Sequence, residues 1–145
     1  MMDERREAKR INSVRELNVY CLAFETAMEI FELSKSFPPE EKFSLTDQIR
    51  KSSRSVCTNL AEAWRKRRYK AMFINKLTDS EQEAAETQTW LEFALACKYI
   101  NQVTFKALDE KYEHIFAQII TMERKADSFC RSSLVHHPSQ KRSNP

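Results

Sequence analysis

Apolar residues recur along this chain at helical spacing in four separate stretches. In the first, Leu17, Tyr20, Phe24, Ala27 and Phe31 alternate steps of three and four, which predicts the seam of a bundle helix over about 14–36. Val19, Leu22, Ala23, Ile30 and Leu33 cover much of the opposite side, leaving a polar strip of Asn18, Glu25, Glu29 and Glu32. A helix apolar on two sides needs two partners. Val19, Leu22, Ile30 and Leu33 are therefore assigned to a subunit interface.

"SFPPEEKFS" interrupts the pattern, because two prolines cannot continue a helix interior. Ser44 then stands as an N-cap, with Asp47 three residues on as a variant capping box. The second helix runs over about 45–66, with Leu45, Ile49, Ser52, Val56, Leu60 and Ala63 on its inner face. The third, about 69–100, carries Phe73, Leu77, Ser80, Ala84, Leu91 and Leu95 on one stripe. Trp90, Phe93 and Cys97 form a second apolar patch on it, and Trp90 and Phe93 join the expected interface. Thr104 caps a fourth helix, about 104–129, with Phe105, Leu108, Tyr112, Ile115, Ile119, Met122 and Ala126 in register. Short connections favour antiparallel neighbours, so the expected fold is all-α, an up-down-up-down four-helix bundle over 14–130. Residues 1–13 read as a charged N-terminal extension and 131–145 as a disordered polar tail.

Composition sharpens this picture chiefly through one absence. The 145 residues contain no glycine, where average usage gives roughly ten. A chain without glycine is poorly equipped for hairpin turns and has neither a phosphate-cradling loop nor a dinucleotide fingerprint. Cys21, Cys57, Cys97 and Cys130 form no C-x-x-C pair, and each reads as a small apolar residue of its own helix. No apolar run has the roughly 20 residues of a membrane span, and "MMDERREAKR" is too charged for a signal peptide. The expected setting is the cytoplasm, with reduced thiols and no membrane contact.

An enzyme is not expected. Di-metal sites in helical bundles need inward Glu-x-x-His motifs, and the chain has none. His114 follows Glu113 directly, His136 and His137 fall in the tail, and Glu83 with Glu86 reads as surface carboxylates. No residue sits in a nucleophile motif, so no catalytic residue, metal, cofactor or small-molecule substrate is assigned.

What stands out is the sorting of charge. Residues 50–70 hold eight basic residues (Arg50, Lys51, Arg54, Arg65, Lys66, Arg67, Arg68 and Lys70) against Glu62 alone, a segment charge of +7. With a chain total of +3, the remainder sums to −4, and residues 79–92 hold five acids and no base. Arg50, Lys51, Arg54 and Arg65 project together from the second helix, with Asp47 in reach of the first two. Lysine and arginine clusters bind phosphate backbones largely by counterion release, so these eight residues are the expected RNA or DNA contacts. Tyr69 is the candidate for stacking on an unpaired base, and Trp64 fits a helix interface better. The competing reading is a protein scaffold, in which the basic segment meets the acidic third helix of a neighbouring subunit.

The segment "LTDQIRKSSRSVCTNLAEAWRKR", with "LNVYCLAFETAMEIFELSKSFPPEEKFSLTDQIR" before it and "FINKLTDSEQEAAETQTWLEFALACKYI" after it, closely resembles the 23S ribosomal RNA intervening-sequence proteins. The likeness covers about residues 15–128 and implies an antiparallel bundle associating into a homopentamer. That family is similar in turn to the accessory variability protein of diversity-generating retroelements, a basic pentamer that binds nucleic acid and a reverse transcriptase. The likeness therefore adds a reverse transcriptase as an alternative partner. It implies no catalytic residues. Cys57 and Ala63 depart from the proline and glycine of many members, which predicts a straighter second helix.

Overall fold

The protein is described here by a computed structural model that covers residues 11–134. Four long helices dominate it: α1 (Asn18–Ser34), α2 (Leu45–Arg65), α3 (Lys70–Ala96) and α4 (Gln102–Arg124), followed by a short α5 (Ala126–Leu134). Turns of 3-10 helix at Val14–Glu16 and Pro39–Glu41 lead into α1 and α2. No strand occurs among the described residues. Each long helix packs on the next and α4 returns to α1, while α5 lies against α3 and α4. The all-helical expectation and its four long helices hold. The expected tail begins too early, since the helical backbone runs on to Leu134. Residues 1–10 of the charged extension and 135–145 of the tail lie outside the described residues.

Among the described elements the α2–α3 pair makes the most extensive contact, and small residues explain it. Leu45, Ile49, Ser52, Val56, Leu60 and Ala63 are all buried, as expected, facing Phe73, Leu77, Ser80, Ala84, Thr87 and Leu91 of α3. Small side chains let the two backbones approach, but they bring hydroxyls into the core, and these must find partners. Ser80 Oγ donates to the Val56 carbonyl at 2.8 Å, and Thr87 Oγ1 lies 2.7 Å from Ser52 Oγ.

Several helix ends differ from the sequence reading, among them the end of α4, which stops at Arg124 and not near residue 129, with Ala126 opening α5. Ser44 does not cap α2 with its side chain. Glu41 does that work, accepting from Leu45 N at 3.2 Å and Ser44 Oγ at 2.6 Å, because a carboxylate in the preceding turn suits the positive helix end. The same residue accepts the Tyr99 hydroxyl at 2.8 Å, and the Ser44 and Tyr99 hydrogen bonds hold its carboxyl below the usual range. Thr104 is not the cap of α4; Asn101 is, its Oδ1 accepting from Thr104 N at 2.8 Å. α3 stops at Ala96, short of residue 100, because Lys98 takes a left-handed conformation with φ 68°. Lys98 N bonds to Leu95 O at 2.9 Å and Tyr99 N to Ala94 O at 2.8 Å, the paired reverse bonds of a Schellman ending. Glycine usually takes that position.

The largest correction concerns α1. Its buried residues are Val19, Ala23, Thr26, Ala27, Ile30 and Ser34, so Val19 and Ile30 belong to the chain's own core and not to a subunit interface. Leu22 and Leu33 are half-buried against that core. Phe24, expected in the seam, is 50% exposed, with Met28 beside it at 45%. Both stripes were apolar enough to face inward. The inner face is built largely of small side chains that let α1 sit close to its neighbours. Of the other stripe, Leu17 and Ala27 are buried and Tyr20 packs against the core, and Phe24 is left outside. Lys111 of α4 pairs with Glu29 on the flank.

Candidate nucleic-acid interface

The basic residues of α2 leave the core by simple helical geometry. Arg54 and Arg65 are eleven positions apart, which places them about 20° apart in azimuth and about 16 Å apart along the axis. Between them lie Thr58 and Ala61, small and uncharged. Glu62, the one acid of the segment, is drawn toward α3 by Lys76 at 2.9 Å. An open face with cations at both ends is what remains.

At the α1 end of this face the cations converge on a single ring. The guanidinium carbons of Arg50 and Arg54 lie 4.8 and 5.5 Å from the Phe31 centroid, and Lys35 Nζ lies 4.9 Å from it. Arg50 is half-buried, and its Nε donates to Ser34 Oγ at 2.7 Å instead of reaching Asp47. Lys51 takes Asp47 at 3.4 Å. Lys35 was missed by the sequence reading; its spacing of i+4 from Phe31 was visible, but nothing in the sequence places α2 beside both.

At the other end, Lys66 to Tyr69 form a tight turn closed by Tyr69 N donating to Lys66 O at 2.9 Å. Arg67 folds back over Trp64, 3.7 Å from Cζ to the ring centroid, and its Nε donates to the Trp64 carbonyl at 2.9 Å. Partial burial there pulls its basicity down. Lys70 pairs with Asp127 of α5 at 2.6 Å, which raises its basicity. Arg65, Lys66 and Arg68 have no acidic partner among the described residues, and Arg65, Arg68 and Tyr69 are exposed. The N-terminus of α3 opens beside them with no side-chain cap and no acid in its first turn, so its free N–H groups add to the positive field.

The eight residues therefore divide. Among the described residues Arg65, Lys66 and Arg68 have no acidic partner, with Arg65 and Arg68 exposed and Lys66 half-buried; Arg54 rests on Phe31, and Arg50, Lys51, Arg67 and Lys70 are each engaged within the fold. Trp64, as expected, is a packing residue, edge-on to Phe129 at 6.4 Å between centroids.

Acidic residues gather on α3 and α4 instead. Gln88 Nε2 bridges Asp109 and Glu113 at 3.1 and 2.9 Å, and burial with the neighbouring Glu113 pushes the Asp109 carboxyl up. Burial, then Glu86 and Asp79, raises Glu83. Burial and hydrogen bonding to Glu81 push Glu123 up to about 7. No group of three or more His, Cys, Asp or Glu among the described residues is arranged to hold a metal ion. Burial raises the Cys57 thiol to about 11, far from a thiolate nucleophile. No described helix is long and apolar enough to cross a membrane.

The model of the family described as the 23S rRNA-intervening sequence protein matches residues 15–121. The chain belongs to that family. The match takes in all of α2 and α3 and most of α4, so the open basic face and the turn after it lie on family-type scaffold. A solved relative is a protein of unknown function from the S23 ribosomal protein family of Bacteroides thetaiotaomicron VPI-5482. It is 31% identical, with a TM-score of 0.66, and the likeness covers 73% of this chain and 95% of that one. No curated protein matches this intervening-sequence family member.

Proposed function

We propose that this family member is a non-enzymatic, homo-oligomeric protein that binds RNA or DNA phosphates through the outer face of α2 and the turn after it. Arg65, Lys66 and Arg68 make the direct contacts, with Arg54 three turns upstream on the same face. The observation that carries the reading is the absence of acidic partners, among the described residues, for those three cations beside an uncapped helix N-terminus. Cations already paired would surrender those partners on binding; unpaired ones release only counterions. Membership in a family described by a 23S rRNA intervening sequence makes RNA the first polyanion to test. Reversing charge with Arg65→Glu and Arg68→Glu should abolish RNA retention at low salt and leave the sedimentation coefficient unchanged.

The second reading gives the same basic segment a partner role, as a scaffold or a reverse-transcriptase accessory protein. It is favoured by the segregation of carboxylates on α3 and α4 and by Phe24, Met28 and Phe93, which stand 50, 45 and 52% exposed. We assign these apolar residues, with half-buried Trp90, to self-association; the pentameric number comes from the family resemblance alone. If the double charge reversal dissociates the oligomer instead of releasing RNA, the scaffold reading is correct.

A further inference from the structure

Three aromatic rings border the basic surface, and their surroundings differ. Phe31 is overlaid by Lys35, Arg50 and Arg54. Trp64 is buried, with Arg67 on its face and Phe129 at its edge. Tyr69 is 54% exposed and is in neither a ring-ring nor a cation-ring contact among the described residues. It sits between Arg68 and Lys70 in the turn, and Met72, three positions on along α3, adds a second exposed apolar surface at 42%.

From this we infer that the site selects unpaired nucleic acid over duplex, with Tyr69 stacking on a base while Arg65, Lys66 and Arg68 hold the flanking phosphates. The inference rests on the phosphate-binding reading and adds the strand state of the ligand. The physical reason is directional. Cations on an open face attract any phosphate backbone, paired or not. A flat ring gains from a base only when the π-face of that base is free, and in a duplex that face is covered by its stacked neighbours. The same turn supplies both, because Arg67 folds inward on Trp64 and leaves Lys66, Arg68 and Tyr69 on the outer side. Tyrosine caps nothing at the start of α3, so its side chain has no other assigned task.

The test uses the full chain at low salt with two labelled probes, a polyadenylate strand and an RNA duplex of equal phosphate number. Tyr69→Ala should weaken single-strand binding about tenfold, the scale of one lost stacking contact, and change duplex binding by less than about twofold. Tyr69→Phe keeps the ring and should bind the single strand as the unaltered protein does. Arg68→Ala should weaken both probes alike. Equal loss on both probes for Tyr69→Ala, or no loss on either while the unaltered protein binds, overturns the inference and leaves phosphate binding standing. Failure of the unaltered protein to bind either probe overturns the phosphate-binding reading, and this inference with it. Tyr69 is exposed, so the alanine variant should fold, and an unchanged circular dichroism spectrum checks this.

Discussion

The Arg67 guanidinium lies 3.7 Å from the centre of the Trp64 ring, so the most basic stretch of the chain contributes one of its cations to packing. Trp64 in turn meets Phe129 of α5, and Phe129 lies 5.7 Å from Phe73 of α3. Arg67 thus covers one side of an aromatic cluster that joins three helices. Arg67→Ala should lower unfolding stability by about 1 kcal/mol, the scale of a partly desolvated cation over an indole. Arg67→Lys should not restore it, because an ammonium lacks the planar stack. Arg68→Ala should leave urea unfolding unchanged. A reversed order for Arg67 and Arg68 would contradict this division of labour.

Lys98 offers a second test, set by the missing glycines. A side chain with a Cβ in the left-handed region costs roughly 1–2 kcal/mol, of which glycine's extra unfolded-state freedom offsets part. Lys98→Gly should therefore raise stability by about 0.5–1 kcal/mol in urea melts. The Schellman bonds from Lys98 and Tyr99 should persist as slow-exchanging amides.

Glu123 sets a pH dependence. Its folded value is raised to about 7 from an unfolded value near 4.5, so the native state holds the proton more tightly than the unfolded state does. The stability this provides is complete below the unfolded value and is lost as pH rises through about 7. Glu123 is half-exposed to solvent, so screening limits the loss to about 1 kcal/mol. Glu123→Gln should be the more stable form at pH 8 and lose its advantage toward pH 5. A pH-independent difference between the two proteins would show that Glu81 and Glu123 do not share a proton.

Self-association supplies a fourth test. Phe24→Glu with Met28→Glu should lower the sedimentation coefficient and leave the helical circular dichroism signal intact, since both residues lie outside the core. A loss of helix would show that α1 relies on that stripe for folding.

Much of the fold was legible because helix periodicity is a local property. The inner faces of α2 and most of α3 could be read residue by residue, since α2 has one apolar stripe with a charged reverse side and the second patch on α3, Trp90, Phe93 and Cys97, is confined to its last turns. α1 was misread because both of its stripes are apolar. Which one faces inward depends on how closely α2 and α4 approach, and small residues such as Ala23 and Ala27 settle that only in three dimensions. The capping errors share a cause. Ser44 and Thr104 are good caps by type, but Glu41 accepts the Leu45 N–H and Asn101 the Thr104 N–H from positions fixed by the preceding turns. The candidate site was legible as a charge run and no further. That Arg50 would stack on Phe31 and Arg67 on Trp64, leaving Arg65, Lys66 and Arg68 with no acidic partner among the described residues, is tertiary information.

The most direct measurement is the salt dependence of RNA binding by the unaltered protein and by single alanine variants. If Arg65, Lys66 and Arg68 hold phosphates, log K falls steeply and linearly with log salt concentration, and each of the three variants lowers the slope by about 1. Arg67→Ala, read at a temperature where it remains folded, should change the slope by less than any of them. An affinity that does not respond to salt, or a slope lowered by Arg67→Ala and unaffected by the other three, would contradict the account.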